Sequence, residues 1–553
     1  MSGSSLEAAQ RPSERMGTAP GVRTYLALAG LFFVCFVYFL PRWHDWNQDA
    51  RLDMTMAVVN HATIAIDAYQ RNTSDDDHYQ GHYYSNKAPG QSLLGVPVYA
   101  AFKLALAIPP FRTAANSLET RPAWRLALED AGCTRRLLKD PCRFIPKRLD
   151  FALLQYLESA LTVAIPSILM LLLFFWFLQY LSASVLNRML ATLAFGLGTI
   201  IFPYSQEFYS HVPAAALELA AFVLLYIAGR TAATGSRLGE WLVARPTFTA
   251  VLAGICLGLA VVFEYPAALM SAVIGLYGLL RLPRSAIVPL IAGCVPGLAI
   301  VMGYNFLAYH NPLTTGYGCN EKIWAQECRG IAGFTWPPAG NAIDGMTASR
   351  YRGLFFLSPF LLLAFPGFLV WAIRSRRDWM TPVTAFVVPL MFFFAISAYW
   401  GWYGGQVVGP RYLIPILPFL ALPVVLVLDR VQTLAGRLAV WALLATSVVM
   451  VWLETIGGRA YGGGGVHDPL FDYNLPQLAH GTIPLNLGML AGIPGPGSLW
   501  PLPGLLLLAG AGPFLPQVLQ SVGGRREKLQ LAGRERPSTT TIRQPSGTSL
   551  PDA

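Results

Sequence analysis

Residues 151–181 read FALLQYLESALTVAIPSILMLLLFFWFLQYL. Such a run exceeds the roughly 20 apolar residues a helix needs to cross a bilayer. Similar runs recur at 24–41, 92–110, 187–204, 208–229, 247–264, 266–281, 285–306, 353–373, 381–399, 412–428, 435–453 and 499–519, each bounded by polar, Gly or Pro residues. The whole chain agrees with its runs. It has 553 residues, 54% hydrophobic and 13% charged, with mean hydropathy +0.46, whereas soluble chains carry about 25% charge. The length would otherwise suggest three or four soluble domains. The composition instead specifies an all-α polytopic membrane protein and excludes soluble, disordered, collagenous and small disulfide-scaffold classes. The net charge of +10 marks no nucleic-acid binder, because no Lys/Arg-rich surface domain carries it.

The charge follows membrane topology. Arg188, Arg230–Arg245, Arg281–Arg284, Arg374–Arg377 and Arg430–Arg437 lie in alternate connections, which the positive-inside rule makes cytoplasmic. The connections 202–211, 264–266, 304–351, 400–411 and 454–500 are poorer in cations and richer in aromatics, and face outward. Parity then leaves both ends of 92–110 outside. That segment reads as an amphipathic helix at the outer interface. The expectation is about 12 transmembrane helices with outer juxtamembrane helices in the first extracytoplasmic loop. A cytoplasmic tail 1–23 precedes an N-terminal transmembrane module 24–306 with outer loop 42–150. A C-terminal module 307–519 follows, with outer loops 307–350 and 456–498, the latter reading as loose, and then a basic cytoplasmic tail 520–553. The run 24–41 starts late and lacks a small-residue cleavage site, so it reads as a span and not a cleaved signal.

Of seven cysteines, Cys35, Cys256 and Cys294 fall in apolar runs and read as filler. Cys133 with Cys142, and Cys319 with Cys328, form two close pairs in outward loops, the pattern of local disulfides in an oxidising compartment. Reduced thiols are the alternative.

The apolar runs read as nearly free of charge at their centres. A proton- or ion-coupled transporter places ionisable groups there, so chemistry is expected at the outer interface. The first outer loop opens RWHDWNQDARLDMTMAVVNH over 42–61. Asp45, Asp49 and Asp53 would share one helix face, opposite a stripe of Leu52, Met56 and Val59. Such a helix would lie on the interface with its carboxylates outward, as a catalytic or a merely solvated face. Asp67 follows, then the Asp75–Asp77 run with His78 and His82, which reads as a divalent-cation site or a solvated loop. Tyr83-Tyr84-Ser85-Asn86-Lys87-Ala88-Pro89-Gly90 comes next, where Lys87 is placed to meet an anionic headgroup or lipid phosphate. Snorkelling is the plain alternative. Phe202–His211, Glu264-Tyr265-Pro266 and Trp400–Tyr412 reach the same plane, where many aromatics act as belt anchors. Arg411 is a lone Arg at the outer end of an apolar run, and a phosphate is its natural bidentate partner. Asp67, Tyr84, Glu207 and Glu264 are candidate substrate-binding groups on that plane.

Gln48-Asp49-Ala50-Arg51, Lys87-Ala88-Pro89, Phe202–His211 and Gly401–Pro415, in this order, resemble the membrane-embedded GT-C glycosyltransferases, especially the aminoarabinose-transferase and protein-mannosyltransferase-like branch. The likeness covers roughly 42–430. Two positions depart from the pattern: Gln48 stands where the first acid of a pair is expected, and Gly90 where a second proline is. The resemblance implies a polyprenyl-phosphate-linked sugar donor and inverting transfer to a glycan, lipid or protein hydroxyl, in a plasma (inner) membrane with an extracytoplasmic site. Asp49 would be the base, with Asp45 next in line. Lys87, Arg411, Arg51 and His211 would hold the leaving phosphate. No cofactor is required beyond the open question of a divalent cation. Two other classes stay open: a lipid or polysaccharide transporter, and a degenerate transferase acting as a scaffold, which Gln48 would suit.

Overall fold

The computed structural model describes residues 20–42, 45–119, 148–230, 236–317, 333–459 and 466–514. These are helical apart from one two-stranded antiparallel hairpin, Asp76–Tyr79 with His82–Ser85. Among the described residues, Gly90–Ala107, Asp150–Tyr180, His211–Ala228, Pro246–Phe263, Arg284–Tyr309, Met380–Ser397, Arg411–Arg430 and Leu434–Ile456 are long and apolar enough to cross a membrane. Val22–Val37, Val185–Leu197, Ala267–Arg281 and Pro359–Arg374 are shorter apolar helices. The chain is thus an all-α, multi-pass membrane protein. All four loop cysteines, Cys133, Cys142, Cys319 and Cys328, lie outside the described residues.

Helices Pro246–Phe263 and Arg284–Tyr309 meet backbone to backbone through Gly254, Gly258, Gly293 and Gly297. A Cβ on Gly258 would stand 2.6 Å from the Cys294 carbonyl oxygen. Small residues permit this approach where no hydrophobic effect drives helices together. The same device starts helix Gly90–Ala107. A Cβ at Gly90 would sit 2.7 Å from the Val262 carbonyl oxygen, so glycine suits the position better than a second proline. This packs the Lys87–Gly90 segment beside the turn that carries Glu264.

Several sequence expectations change. The segment 92–110 is not the amphipathic element. Helix Gly90–Ala107 is apolar on most sides and buries only its first turns. Amphipathicity belongs to the next helix, Pro109–Glu119, where Arg112 pairs with Asp150 at 2.9 Å. Helix Trp46–His61 is not an interfacial helix with carboxylates facing water. Residues 47–57 are buried, Asp49 and Asp53 completely. Periodicity finds apolar faces, but this helix packs against polar groups. Of the Asp75–Asp77 run, Asp76 and Asp77 open a hairpin arm and Asp75 stands just before it, so the run is not a solvated loop. The segment 466–500 is not loose: short helices fold back onto the end of the first apolar helix, with Leu40 N–H donating to the Leu485 carbonyl at 2.9 Å and Tyr38 donating to the Ser498 carbonyl. The spans are nearly, not wholly, free of ionisable groups. Glu158 and Glu218 are fully buried inside them, and Ser271 Oγ donates to Glu218 at 2.8 Å.

Candidate active site

The segment after the first apolar helix enters the fold through its backbone. Asp45 caps helix Trp46–His61, its Oδ1 accepting from Asn47 N–H (3.0 Å) and Gln48 N–H (3.3 Å). This satisfies two of the donors that any helix start leaves open. The same oxygen accepts from Tyr209 Oη at 2.9 Å, and Oδ2 lies 3.1 Å from Arg42 Nη1. Burial would raise the Asp45 carboxyl. The cations of Arg42 and Arg411 outweigh it and hold the group below the usual carboxylate range.

Gln48 is the hub of the entry. Its Nε2 donates to Glu207 Oε2 at 2.6 Å and to the Arg42 carbonyl at 3.3 Å. Its Oε1 accepts from Phe208 N–H at 2.7 Å and Gln155 Nε2 at 3.1 Å. Glu207 also takes the Arg42 N–H (2.9 and 3.1 Å) and an ion pair from Arg459 at 2.9 Å. Gln48 therefore has a local role. Only an amide supplies donors toward a carboxylate and an acceptor toward N–H groups at once. A pocket with room for about one water (10 Å³) lies against Arg42, Gln48, Tyr204, Glu207, Tyr209 and Arg459.

One turn on, Arg51 reaches two spans. Its Nη1 donates to Asn47, and its Nη2 donates to Ser210 Oγ at 2.6 Å and approaches Glu264 Oε1 at 3.4 Å. Ser210 Oγ donates to the same Glu264 oxygen, and His211 Nδ1 stands 2.9 Å from it. Glu264 is well placed because helix Pro246–Phe263 ends there. Burial alone would raise its carboxyl. His211, Arg51 and the Ser210 hydroxyl bring it down to about 2. Arg51, His211 and Glu264, picked out separately in the sequence, form one cluster.

Arg411 borders that cluster. Its guanidinium lies 5.2 Å from the Tyr209 ring centre and 5.3 Å from that of Tyr412, whose ring meets His211 edge-on. Among the described residues no carboxylate stands within ion-pair distance of it. The loop before it is fixed by Arg352, which donates to the Tyr403 carbonyl and to that of Gly405 at 2.7 Å. Gly404, Gly405 and Gly409 adopt positive φ there, a conformation glycine takes without strain.

Lys87, in contrast, is paired: its Nζ is 3.0 Å from Asp75 Oδ2, with the Tyr317 ring 5.9 Å away. Asp53 accepts from Asn72 Nδ2 at 2.9 Å. Burial and the neighbouring Asp49 push the Asp53 carboxyl well above the carboxylate range, against the pull of Asn72. Asp67 is exposed in a turn before the hairpin and contacts its second strand, accepting from His82 Nδ1 (2.8 Å) and Tyr83 N–H (2.7 Å). Tyr84 packs on Tyr309 and Ala308. Neither joins the Arg51–Glu264 cluster. Among the described residues no group of three or more His, Cys, Asp or Glu is arranged to hold a metal ion.

Sequence reasoning missed Arg42, Gln155, Tyr209, Ser210, Arg352 and Arg459, and gave Asp75 no link to Lys87. Tyr209 and Ser210 sat inside the aromatic turn already singled out. Arg459 carried a signal too, as a lone cation on an outward connection.

No protein-family model matches the sequence, and no curated protein matches it. Solved structures do resemble it in shape. The chain is similar to an archaeal oligosaccharyltransferase, AglB from Archaeoglobus fulgidus, in complex with an inhibitory peptide and a dolichol-phosphate (TM-score 0.42, 14% identity, covering 80% of this chain and 56% of that one). It is similar also to ArnT from Cupriavidus metallidurans bound to undecaprenyl phosphate, with a TM-score of 0.45 and 15% identity over 89% of this chain and 75% of that one.

Proposed function

We propose that the protein is an integral membrane glycosyltransferase that moves a sugar from a polyprenyl-phosphate-linked donor to an acceptor hydroxyl at the extracytoplasmic face. Asp49 takes the hydroxyl proton as the oxygen forms its bond to the anomeric carbon. The bond from that carbon to the phosphate oxygen breaks, and the polyprenyl phosphate leaves with the electron pair. Arg411 meets the developing phosphate charge. Arg51 and His211, both tied to Glu264, position the cluster beside it. Lys87 exchanges Asp75 for the phosphate when donor arrives. Asp45 and Glu207 act as braces, since their oxygens are taken by Arg42, Gln48, Tyr209 and Arg459.

The observation that carries this reading is Arg411: a buried cation at the outer end of a span, flanked by aromatic rings. A phosphate is what such a site lacks. Asp49 and Asp53 add support. Asp49 is fully buried beside Asp53, whose carboxyl is raised by burial and by Asp49 itself.

The test is donor binding. Arg411→Met in the purified full-length protein should weaken polyprenyl-phosphate binding roughly tenfold or more, as expected for one lost charge-assisted bond. Unchanged affinity would remove Arg411 from the phosphate site.

A further inference from the structure

Glu158 plays no part in this chemistry. It is fully buried at the C-terminal end of helix Arg148–Ser159, and neither carboxylate oxygen has a hydrogen-bond partner among the described residues. The carboxylate rests against helix Gly90–Ala107 at Gly95, where a Cβ would stand 2.9 Å from Oε2 and 3.0 Å from Oε1. Glycine leaves the space that the carboxylate uses.

Gln91 and Ser92 precede Gly95 by one turn and share its face. Gln91 Nε2 donates to Thr162 Oγ1 at 2.7 Å, and Thr162 Oγ1 donates to the Glu158 carbonyl at 2.6 Å. This ties the Gln91 amide to the turn after Glu158 and leaves Gln91 Oε1 without a partner, as are Ser92 Oγ and Ser159 Oγ. All four residues are buried. Five oxygens on two packed helices therefore lack partners. A π-helical turn, Ala160–Ala164, follows immediately; such turns widen a helix and recur at functional sites.

One unpartnered buried oxygen is costly, and five on adjoining turns of two packed helices point to a shared ligand. The set is all oxygen: a carboxylate, an amide oxygen and two hydroxyls. Hard cations prefer such donors. A bound cation would hold the Glu158 carboxyl ionised, and against that one negative charge a singly charged ion balances the set, whereas a divalent ion would leave excess charge buried. We propose that Glu158, Gln91, Ser92 and Ser159 form a binding site for a monovalent alkali cation, sodium or potassium, that braces helix Gly90–Ala107 against helix Arg148–Ser159. The site is independent of the transfer reaction.

Thermal unfolding of the full-length protein in sodium, potassium or choline chloride, at equal ionic strength, tests it. In wild type the midpoint should rise saturably with sodium or potassium over choline. Glu158→Gln should abolish the rise. Ser92→Ala keeps the carboxylate and should raise the half-saturating concentration about tenfold, the worth of one ligand oxygen. Equal midpoints in all three salts would overturn the site and leave a proton or a water in its place. A full alkali response in Glu158→Gln would overturn it equally. If that variant does not fold, an unchanged half-saturation in Ser92→Ala decides against it.

Discussion

The side-chain amide of Gln48 stands 2.6 Å from the carboxylate of Glu207, across 159 positions of sequence. The contact fastens the first outer loop to the turn between two spans. It also disfavours an acid at position 48: a carboxylate there would face another at hydrogen-bond distance, and would repel it. Gln48→Glu should therefore destabilise the protein by about 1–3 kcal/mol at neutral pH. The exchange Gln48→Glu with Glu207→Gln should recover part of the loss by restoring one amide and one acid. Thermal unfolding of the three variants checks this. A harmless Gln48→Glu would mean the pair does not hold the loop.

The Glu264 cluster predicts a pH signature. Its carboxyl is brought down to about 2, against 4.5 unperturbed. A lowered carboxyl gives stability that is present above the unfolded value of 4.5 and lost as pH falls through 2. Glu264→Gln should cost on the order of 3 kcal/mol at pH 7 by this linkage. The gap to wild type should narrow between pH 4.5 and 2. A gap of the same size at pH 7 and pH 3 would show that shape, not charge, makes the contact.

Topology offers a separate check. The charge pattern puts 111–150 outside and lets 92–110 return without crossing, whereas helix Gly90–Ala107 is long and apolar enough to span. Ser117 is exposed on helix Pro109–Glu119, and Arg377 is exposed in a connection assigned to the cytoplasm. In a cysteine-free background, Ser117→Cys should react with an impermeant maleimide in intact cells, and Arg377→Cys only after lysis. Protection of Ser117→Cys until lysis would make Gly90–Ala107 a crossing helix.

The apolar helices were legible because lipid-facing and core-facing residues are both apolar, so length alone marks them. Nearly every run met a helix within a few residues, although Pro415, Pro418 and Pro423 break Arg411–Arg430 into shorter pieces. The buried polar helix Trp46–His61 was not legible. Asp45, Asp49 and Asp53 have the same spacing whether they face water or Tyr209 and Asn72. Arg42, Gln155 and Arg459 escaped for a related reason. Their partners lie far away in sequence, and no periodicity joins them. The pairing of Lys87 with Asp75 was hidden in an acidic run that read as loop.

The central claim is that Asp49 activates an acceptor hydroxyl against a polyprenyl-phosphate-linked sugar. It is tested most directly by single-turnover transfer with Asp49→Asn and Asp45→Asn, measured beside donor binding in the same preparations. Asp49→Asn should bind donor as wild type does and lose roughly 10²–10⁴-fold in transfer rate, the range for a missing general base. Asp45→Asn should keep the helix cap, weaken the Arg42 contact and transfer at a rate much closer to wild type. Near wild-type transfer by Asp49→Asn would contradict the account, and loss in Asp45→Asn alone would move the base one helical turn back.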